Sequence, residues 1–259
     1  MPGSRAAILI VTPYHREPPA VLERCIASVA AQTVAADHLL VSDGHPQDWI
    51  DRLPVRHIRL DQAHGDYGNT PRAIGLMLGV AEGYAGIGLL DADNWIDPDH
   101  TDACLTAAAH DPACDYVIAQ RRFVRPDGSE MPLGEAPGID HVDTSCFFFR
   151  EGSYPLLPYW GTMPREVSPI CDRIFKGVLE THGMRAAATD RVTVNFQVNI
   201  AGFYRRIGEA PPPGARDGSD IRAMQLWADG LDDAALAQAS RRAGVRLMRS
   251  IDRPDGPAA

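Results

Sequence analysis

Positive charge is in short supply in this chain. Lys and Arg total 25 against 34 Asp and Glu, a formal net charge of −9. A surface of that sign repels phosphodiester backbones and anionic lipid headgroups, which argues against nucleic acid or a membrane surface as the main partner. Cysteine is sparse as well. Cys25, Cys104, Cys114, Cys146 and Cys171 are scattered, odd in number and form no Cys-x-x-Cys pair. That pattern suits free thiols in a reducing cytoplasm better than a disulfide frame or a zinc site. Long apolar runs are missing, none nearing the roughly 20 residues that cross a bilayer. The apolar stretch after Arg5 is too short for a signal peptide. Internal repeats and low-complexity tracts are absent too. A soluble, cytoplasmic protein is expected.

What is present suffices for one large α/β domain, or one with a smaller appendage: 259 residues, 45% of them hydrophobic. Ala6 to Val11 reads as a buried strand ended by Thr12-Pro13. Pro18 and Pro19 open a helix to about Gln32, with Val21, Leu22, Cys25, Ile26 and Val29 on one face. His38 to Val41 is a second strand, leaving at Ser42-Asp43-Gly44, and Val55 to Leu60 a third. A loop rich in turn formers, Asp61 to Pro71, precedes a helix from about Arg72 to Tyr84, which Gly79 and Gly83 weaken only slightly. A strand ending at Asp91, a helix from Asp99 to His110 and a strand from Tyr116 to Ala119 follow. Alternation at these spacings predicts crossover units and a mostly parallel sheet, whose ligands gather at the carboxyl ends of the strands. Thr12, Asp43 and Asp91 all stand at such ends.

The second half is less regular. Pro126-Asp127-Gly128 is a hairpin-like turn, and Pro132 and Pro137 mark an irregular segment. Cys146 to Arg150 is a strand, Tyr154 to Pro169 reads as a loop over a pocket, and Ile170 to His182 as a helix closed by Gly183. Arg191 to Ala201 is β-prone. Pro211-Pro212-Pro213-Gly214 is a semi-rigid break before a two-helix extension.

Gly88-Leu89-Leu90-Asp91-Ala92-Asp93-Asn94-Trp95 is the stretch that carries chemistry. An extended exit from the strand would point Asp91 and Asp93 the same way and Ala92 the other. Two carboxylates on one side repel unless a cation sits between them, and Mg²⁺ and Mn²⁺ prefer such oxygen ligands and share them with substrate phosphates. The same residues also read as a plain polar turn, with Asp97-Pro98-Asp99 capping the next helix.

The order of these pieces resembles the family 2 glycosyltransferases. The resemblance rests on Val11-Thr12-Pro13-Tyr14 at the first strand's end and Ser28 to Thr33 closing the first helix. Val41-Ser42-Asp43-Gly44, Pro71-Arg72-Ala73 and Leu90-Asp91-Ala92-Asp93 complete it. It covers roughly residues 6 to 205, and the order of the motifs gives it more specificity than any one of them. It implies a GT-A fold: a Rossmann-like, mostly parallel central sheet flanked by helices, with a smaller acceptor-side subregion and C-terminal helices. The implied layout is a transferase domain over 1–210 and a helical extension over 211–259. Within the domain, 6–120 is the nucleotide-sugar half and 121–210 the acceptor half.

The activity implied is metal-dependent, inverting transfer of a sugar from a UDP-, GDP- or dTDP-linked donor to a hydroxyl on a glycan, a lipid-linked sugar or a small metabolite. In that reading Thr12, Pro13 and Tyr14 lie by the base or ribose, Asp43 contacts the base and Arg72 helps hold the nucleotide. Asp91 approaches the ribose or the metal's water shell, Ala92 lines the site, and Asp93 ligates Mn²⁺ or Mg²⁺. Asp172 falls where inverting members keep their catalytic base, with Cys171 standing in place of the usual Glu; Asp143 is the runner-up. Each has a plainer reading: a strand exit for Asp43, a solvated helix start for Arg72, a favourable helix N-terminus for Asp172, a turn bond for Asp143. Tyr159 and Trp160 are expected to touch acceptor, His64 to Asn69 to fold over the nucleotide, and Trp95 to be half-buried core. His141 and His182 are left unassigned as metal ligands. The Gln-x-x-Arg-Trp element of processive synthases is absent, which predicts single additions. Self-association is left open. Two other classes fit the rim: a nucleotidyltransferase, which would need a Gly-rich, basic phosphate loop after the first strand, and a nucleotide-sugar-binding protein without turnover.

Overall fold

Continuous apolar runs become fully buried strands here, and the helices between them carry one apolar stripe each. In this computed structural model residues 6–134 and 142–250 are described, so Pro137 and His141 lie outside them. Strand β1 (Ile8–Tyr14) is buried along its whole length. Helix α1 (Pro19–Ala30) starts on its proline and buries Leu22, Cys25, Ile26 and Val29. Strand β2 (Ala36–Asp43), a 3-10 turn at Asp48–Arg52 and β3 (Arg56–Leu60) follow. Then come α2 (Asn69–Ala81), β4 (Gly86–Leu89), a short β5 (Trp95–Ile96), α3 (His100–His110) and β6 (Tyr116–Val124). Beyond the turn at Arg125–Ser129 lie β7 (Phe147–Arg150), α4 (Tyr159–Thr162), α5 (Cys171–Thr181) and β8 (Ala186–Gln197). Helices α6 (Ala201–Arg206), α7 (Ser219–Gly230) and α8 (Asp233–Ala243) close the described chain.

Among the described residues the strands form one eight-stranded sheet in the order β3-β2-β1-β4-β7-β6-β8-β5. β3, β2, β1 and β4 run parallel, β7 reverses direction between β4 and β6, β6 and β8 are parallel, and β5 is antiparallel to β8. This is the helix-flanked α/β sheet that the strand–helix alternation predicts. The parallel half ends at one rim, and the reversed strand brings the second half of the chain against it.

Several boundaries differ from the sequence reading, each for a physical reason. β1 does not stop at Thr12-Pro13. The Val11 carbonyl accepts from Leu90 N at 3.0 Å, so Pro13, two residues on, turns its ring nitrogen to the same side, where β4 has already ended. No ladder bond is lost there, and the proline is tolerated. α2 begins at Asn69 rather than Arg72, placing Pro71 and Arg72 in its first turns. Gly75 and Gly79 within it are there for close approach. A Cβ on Gly75 would meet Val11 Cγ1 at 2.4 Å, and one on Gly79 would meet Leu9 and Ile87 at 2.8 Å.

The segment Tyr154 to Pro169 is not a loop. It winds into 3-10 turns at Glu151–Leu156 and Arg165–Ile170 around α4. Trp160 is fully buried, stacked on Phe175 with centroids 4.7 Å apart and edge-on to Phe147. The aromatic ring that sequence reading sent toward the acceptor is therefore core, because three large rings satisfy one another there. Tyr159 packs beside His182 and against Gly244. The β-prone stretch begins earlier than expected, at Ala186, and residues 201–206 are helical. Met224, Ala239, Ala243 and Leu247 join the main hydrophobic cluster, so the C-terminal helices share the core of the sheet-bearing body. No helix among the described residues is long and apolar enough to cross a membrane.

Candidate active site

The parallel strands deliver their last residues to one rim. Pro13 and Tyr14 from β1, Asp43 from β2 and the residues just past β4 line a cleft of about 430 Å³, roofed by Gly65, Tyr67 and Gly68. A smaller cleft of about 160 Å³ lies beyond, walled by Arg121, Asp143 and Asp172. Asp91, Asp93, Asn199 and Arg216 line both. The acidic pair thus stands where the two clefts meet.

Asp91 and Asp93 reach that junction by a turn, not by extended alternation. Asn94 N donates to the Asp91 carbonyl at 3.0 Å, folding 91–94 back on itself. The turn is pinned from outside: the Ser145 hydroxyl oxygen accepts from Asp91 N (3.0 Å) and from Asn94 Nδ2 (2.8 Å), and Asn94 Oδ1 accepts from Gln197 N (2.9 Å). Ala92 does point the other way, into a cluster with Tyr14, Leu22, Ile26, Leu40 and Ile50.

Arg72 is fully buried. Its guanidinium donates to Asp91 Oδ1 (2.7 Å) and Asn69 Oδ1 (3.0 Å) and lies 4.9 Å from the Trp160 ring. Burial opposes its charge, but the Asp91 carboxylate more than compensates, and its pKa is raised. Breaking such a pair would leave a buried, uncompensated charge. Asp43 is also well held: Oδ1 accepts from His64 N (2.9 Å) and His64 Nδ1 (2.8 Å), Oδ2 from Gly65 N (3.2 Å). Burial pushes its carboxyl up, yet these donors outweigh it and leave the pKa below the ordinary value. Asp43 is thereby an ionised acceptor that also anchors the cleft's roof. The His64–Gly65 start of the roof is fastened rather than loose.

The remaining acids are crowded. Burial, then Asp91, Asp143 and Glu17, push the Asp93 carboxyl up to about 7, with Arg216 the opposing cation. Burial and Asp91 raise Asp143 to about 7 as well, against Arg121. Burial raises Asp172, partly offset by the Arg173 amide that donates to its Oδ1 at 2.7 Å. Carboxyl oxygens in excess of cations are the donor set that a hard divalent ion takes. Among the described residues no group of three or more His, Cys, Asp or Glu side chains could enclose a metal alone. A cation here would complete its shell with water or substrate oxygens, as Mg²⁺ commonly does.

A carboxyl raised in the fold contributes stability below its unfolded pKa of about 4 and loses it as pH rises through the folded value. Buried His38 and His100, lowered by burial to about 3 and about 4, work in the opposite sense. A variant comparison separates the two. Without divalent metal, the melting temperature of Asp143→Asn is expected to gain on that of the wild type as pH goes from about 5.5 to about 8. Parallel curves in a calorimetric pH series would show that Asp143 ionises without strain.

Two expected site residues are placed differently. Thr12 is fully buried and does not line the cleft; its hydroxyl sits 2.9 Å from His38 Nε2 and 3.8 Å from Cys25 Sγ. Strand alternation turns it away from the face that Pro13 presents. Tyr14 lines the cleft, but its ring packs in the core and its hydroxyl binds His57 Nε2 at 2.7 Å and Gln47 N at 3.0 Å. Trp95, half-buried, has the Arg24 guanidinium 3.8 Å over its ring. Residues that sequence reading did not single out include His15, Glu17, Asn199 and Arg216. Asn199 and Arg216 come from more than a hundred residues beyond the acidic pair, and no local motif marks them.

The glycosyl transferase family 2 model matches residues 9–163. Over 117 residues, 44% of the chain, the sequence is 30% identical to the chondroitin synthase of Pasteurella multocida strain Pm70. The same figures hold for a hyaluronan synthase of Pasteurella multocida. The matched stretch is 12% of each synthase, so the chain spans only a small part of those relatives' length. Among solved structures, Staphylococcus aureus TarS 1-349 in complex with UDP is similar, with a TM-score of 0.56 at 16% identity, over 91% of this chain and 71% of that one. TarS 1-349 in complex with UDP-GlcNAc gives 0.54 at 13% identity, over 91% and 72%. At such identity the likeness is one of fold.

Proposed function

The chain belongs to glycosyl transferase family 2, and from that membership we propose that it moves a sugar from a nucleotide-diphosphate donor to a hydroxyl acceptor with inversion. The observation that carries the reading is the junction itself: a large cleft and a small one meet at Asp91 and Asp93. A donor in the large cleft would present its sugar at the junction, with the acceptor entering from the small one. UDP-sugars stand first among donors, because similar folds are solved with UDP and UDP-GlcNAc; GDP- and dTDP-sugars follow.

The chain's own groups divide the work. Asp43, ionised and fixed by His64 and Gly65, offers an acceptor oxygen to a base N–H. Arg72 holds Asp91 at the floor of the cleft. Asp172 takes the proton of the acceptor hydroxyl while that oxygen attacks the anomeric carbon and the bond to the diphosphate oxygen breaks. Burial raises its pKa, which strengthens it as a base. Asp143 is the less suitable base, since one oxygen accepts from Ser145 N at 2.9 Å and the other faces Arg121 at 3.9 Å. A Mn²⁺ or Mg²⁺ ion held by Asp93, with Asp91 beside it, would offset charge growing on the leaving diphosphate, worth on the order of several kcal/mol. Cys171, where Glu is usual, supplies no charge: burial pushes its thiol up to about 12. The missing Gln-x-x-Arg-Trp element supports single additions rather than polymerisation. The end of β1 and the residues that follow it, Thr12-Pro13-Tyr14-His15-Arg16, form no Gly-rich phosphate loop, which disfavours a nucleotidyltransferase.

A thermal-shift panel of nucleotide sugars with and without Mn²⁺ tests the reading. Ligands that bind only the native state raise its melting point, by an amount set by concentration over Kd. One nucleotide series is expected to shift the midpoint, and more so with Mn²⁺. A flat panel across UDP-, GDP- and dTDP-sugars would refute donor binding.

A further inference from the structure

Arg216 lies just beyond the Pro-rich break, yet its place is fixed. Its backbone N donates to the Asn199 carbonyl (2.7 Å), its carbonyl accepts from Ala201 N (2.8 Å), and the two segments form a parallel bridge. The side chain reaches the junction of the clefts. There Nε and Nη2 donate to Asn199 Oδ1 at 3.2 and 3.0 Å, while Asn199 Nδ2 donates to Asp93 Oδ2 at 3.3 Å. Nη1 lies 4.0 Å from Asp220 Oδ2, an oxygen that accepts from the Tyr67 hydroxyl at 2.8 Å. Tyr67 belongs to the roof of the large cleft, so the roof is latched to Asp220 beside this guanidinium.

Charge decides what such a group is for. The large cleft is lined by the carboxylates of Glu17, Asp43, Asp91 and Asp93 and by two guanidinium groups, those of Arg72 and Arg216. Arg72 is fully buried and committed to Asp91. Even with a divalent ion at Asp93, Arg72 alone does not offset the four carboxylates, so a diphosphate entering here meets net negative charge unless a second guanidinium turns to it. The hydrogen bonds of Arg216 run to a neutral amide, so redirecting them breaks no close ion pair. Its side chain is 39% exposed, open to both clefts, and its planar fork matches phosphate oxygens.

We propose that Arg216 is the residue that holds the diphosphate of the donor at the junction of the two clefts. This rests on the donor reading above and goes beyond it by naming a group outside the motifs that define the site. The guanidinium swings from Asn199 to the phosphate oxygens, which leaves Asn199 to keep Asp93 in place.

The test is calorimetric titration of the full chain with UDP and with uridine, in the presence of Mn²⁺, for wild type, Arg216→Ala and Arg216→Lys. GDP with guanosine serves if the wild type prefers that pair. Arg216→Ala is expected to weaken the diphosphate roughly ten- to hundred-fold, the scale of hydrogen bonds to charged groups, and to leave the nucleoside unchanged. Arg216→Lys, keeping charge but not the fork, should fall between. Unchanged diphosphate affinity in Arg216→Ala, or equal loss for diphosphate and nucleoside, would overturn the assignment while the donor reading stands. A wild type that binds none of UDP, GDP and dTDP, nor their nucleosides, would remove the donor reading and this assignment with it.

Discussion

Asp172→Asn is expected to slow sugar transfer by roughly 10²–10⁴-fold, the range that a positioned general base supplies, with donor affinity changed by less than about twofold. The amide keeps the shape of the carboxyl and its bond from Arg173 N but cannot take a proton. Asp172 lines only the smaller cleft, so the nucleotide should not sense the change. Initial rates against a panel of hydroxyl acceptors, with donor binding measured in parallel, provide the readout. Asp143→Asn is the control. It shares the small cleft but is tied to Ser145 N and faces Arg121. Normal turnover by Asp172→Asn together with an inactive Asp143→Asn would hand the role to Asp143.

Asp93→Ala should have the other large effect, a loss of about a thousandfold or more in rate, equivalent to several kcal/mol of leaving-group stabilisation. It carries an internal check. Asp93 is half-buried among like charges and raised to about 7, so it strains the metal-free protein above that pH. Its removal is therefore expected to raise the metal-free melting temperature at pH 8 while abolishing the further rise caused by Mn²⁺. Manganese binding that survives the substitution intact would show that the ion sits elsewhere.

Much of the larger cleft was legible because parallel, doubly covered strands advertise themselves as apolar runs, and because their ends must be polar. Asp43 and the acidic pair follow from that logic, Arg72 on its helix only from the family resemblance, and the structure brings them to one cleft. The route was not always the expected one: Asp91 and Asp93 converge through a turn held by Ser145 and Asn94, which no alternation rule describes. Thr12 was misplaced because the strand was ended at Pro13, where in fact it continues and sends the hydroxyl inward to His38. Trp160 was misread because proline density suggests a loop, whereas its partners Phe147 and Phe175 come from the strand and the helix on either side of that segment. The smaller cleft was least legible. Its walls come from Arg121, Asp143, Asp172 and Arg216, each delivered by a different element, and only the assembled sheet makes them neighbours.

The glycines that seat α2 on β1 have one more implication. With no side chains between them at Gly75 and Gly79, helix and strand stack like two planks glued face to face, and the helix cannot slide without colliding with Val11, Leu9 or Ile87. Arg72 rides on the helix and Asp91 follows β4, the strand paired with β1, so their separation is built into the scaffold rather than left to each turnover. Any hinge that admits substrate must then sit elsewhere in the molecule.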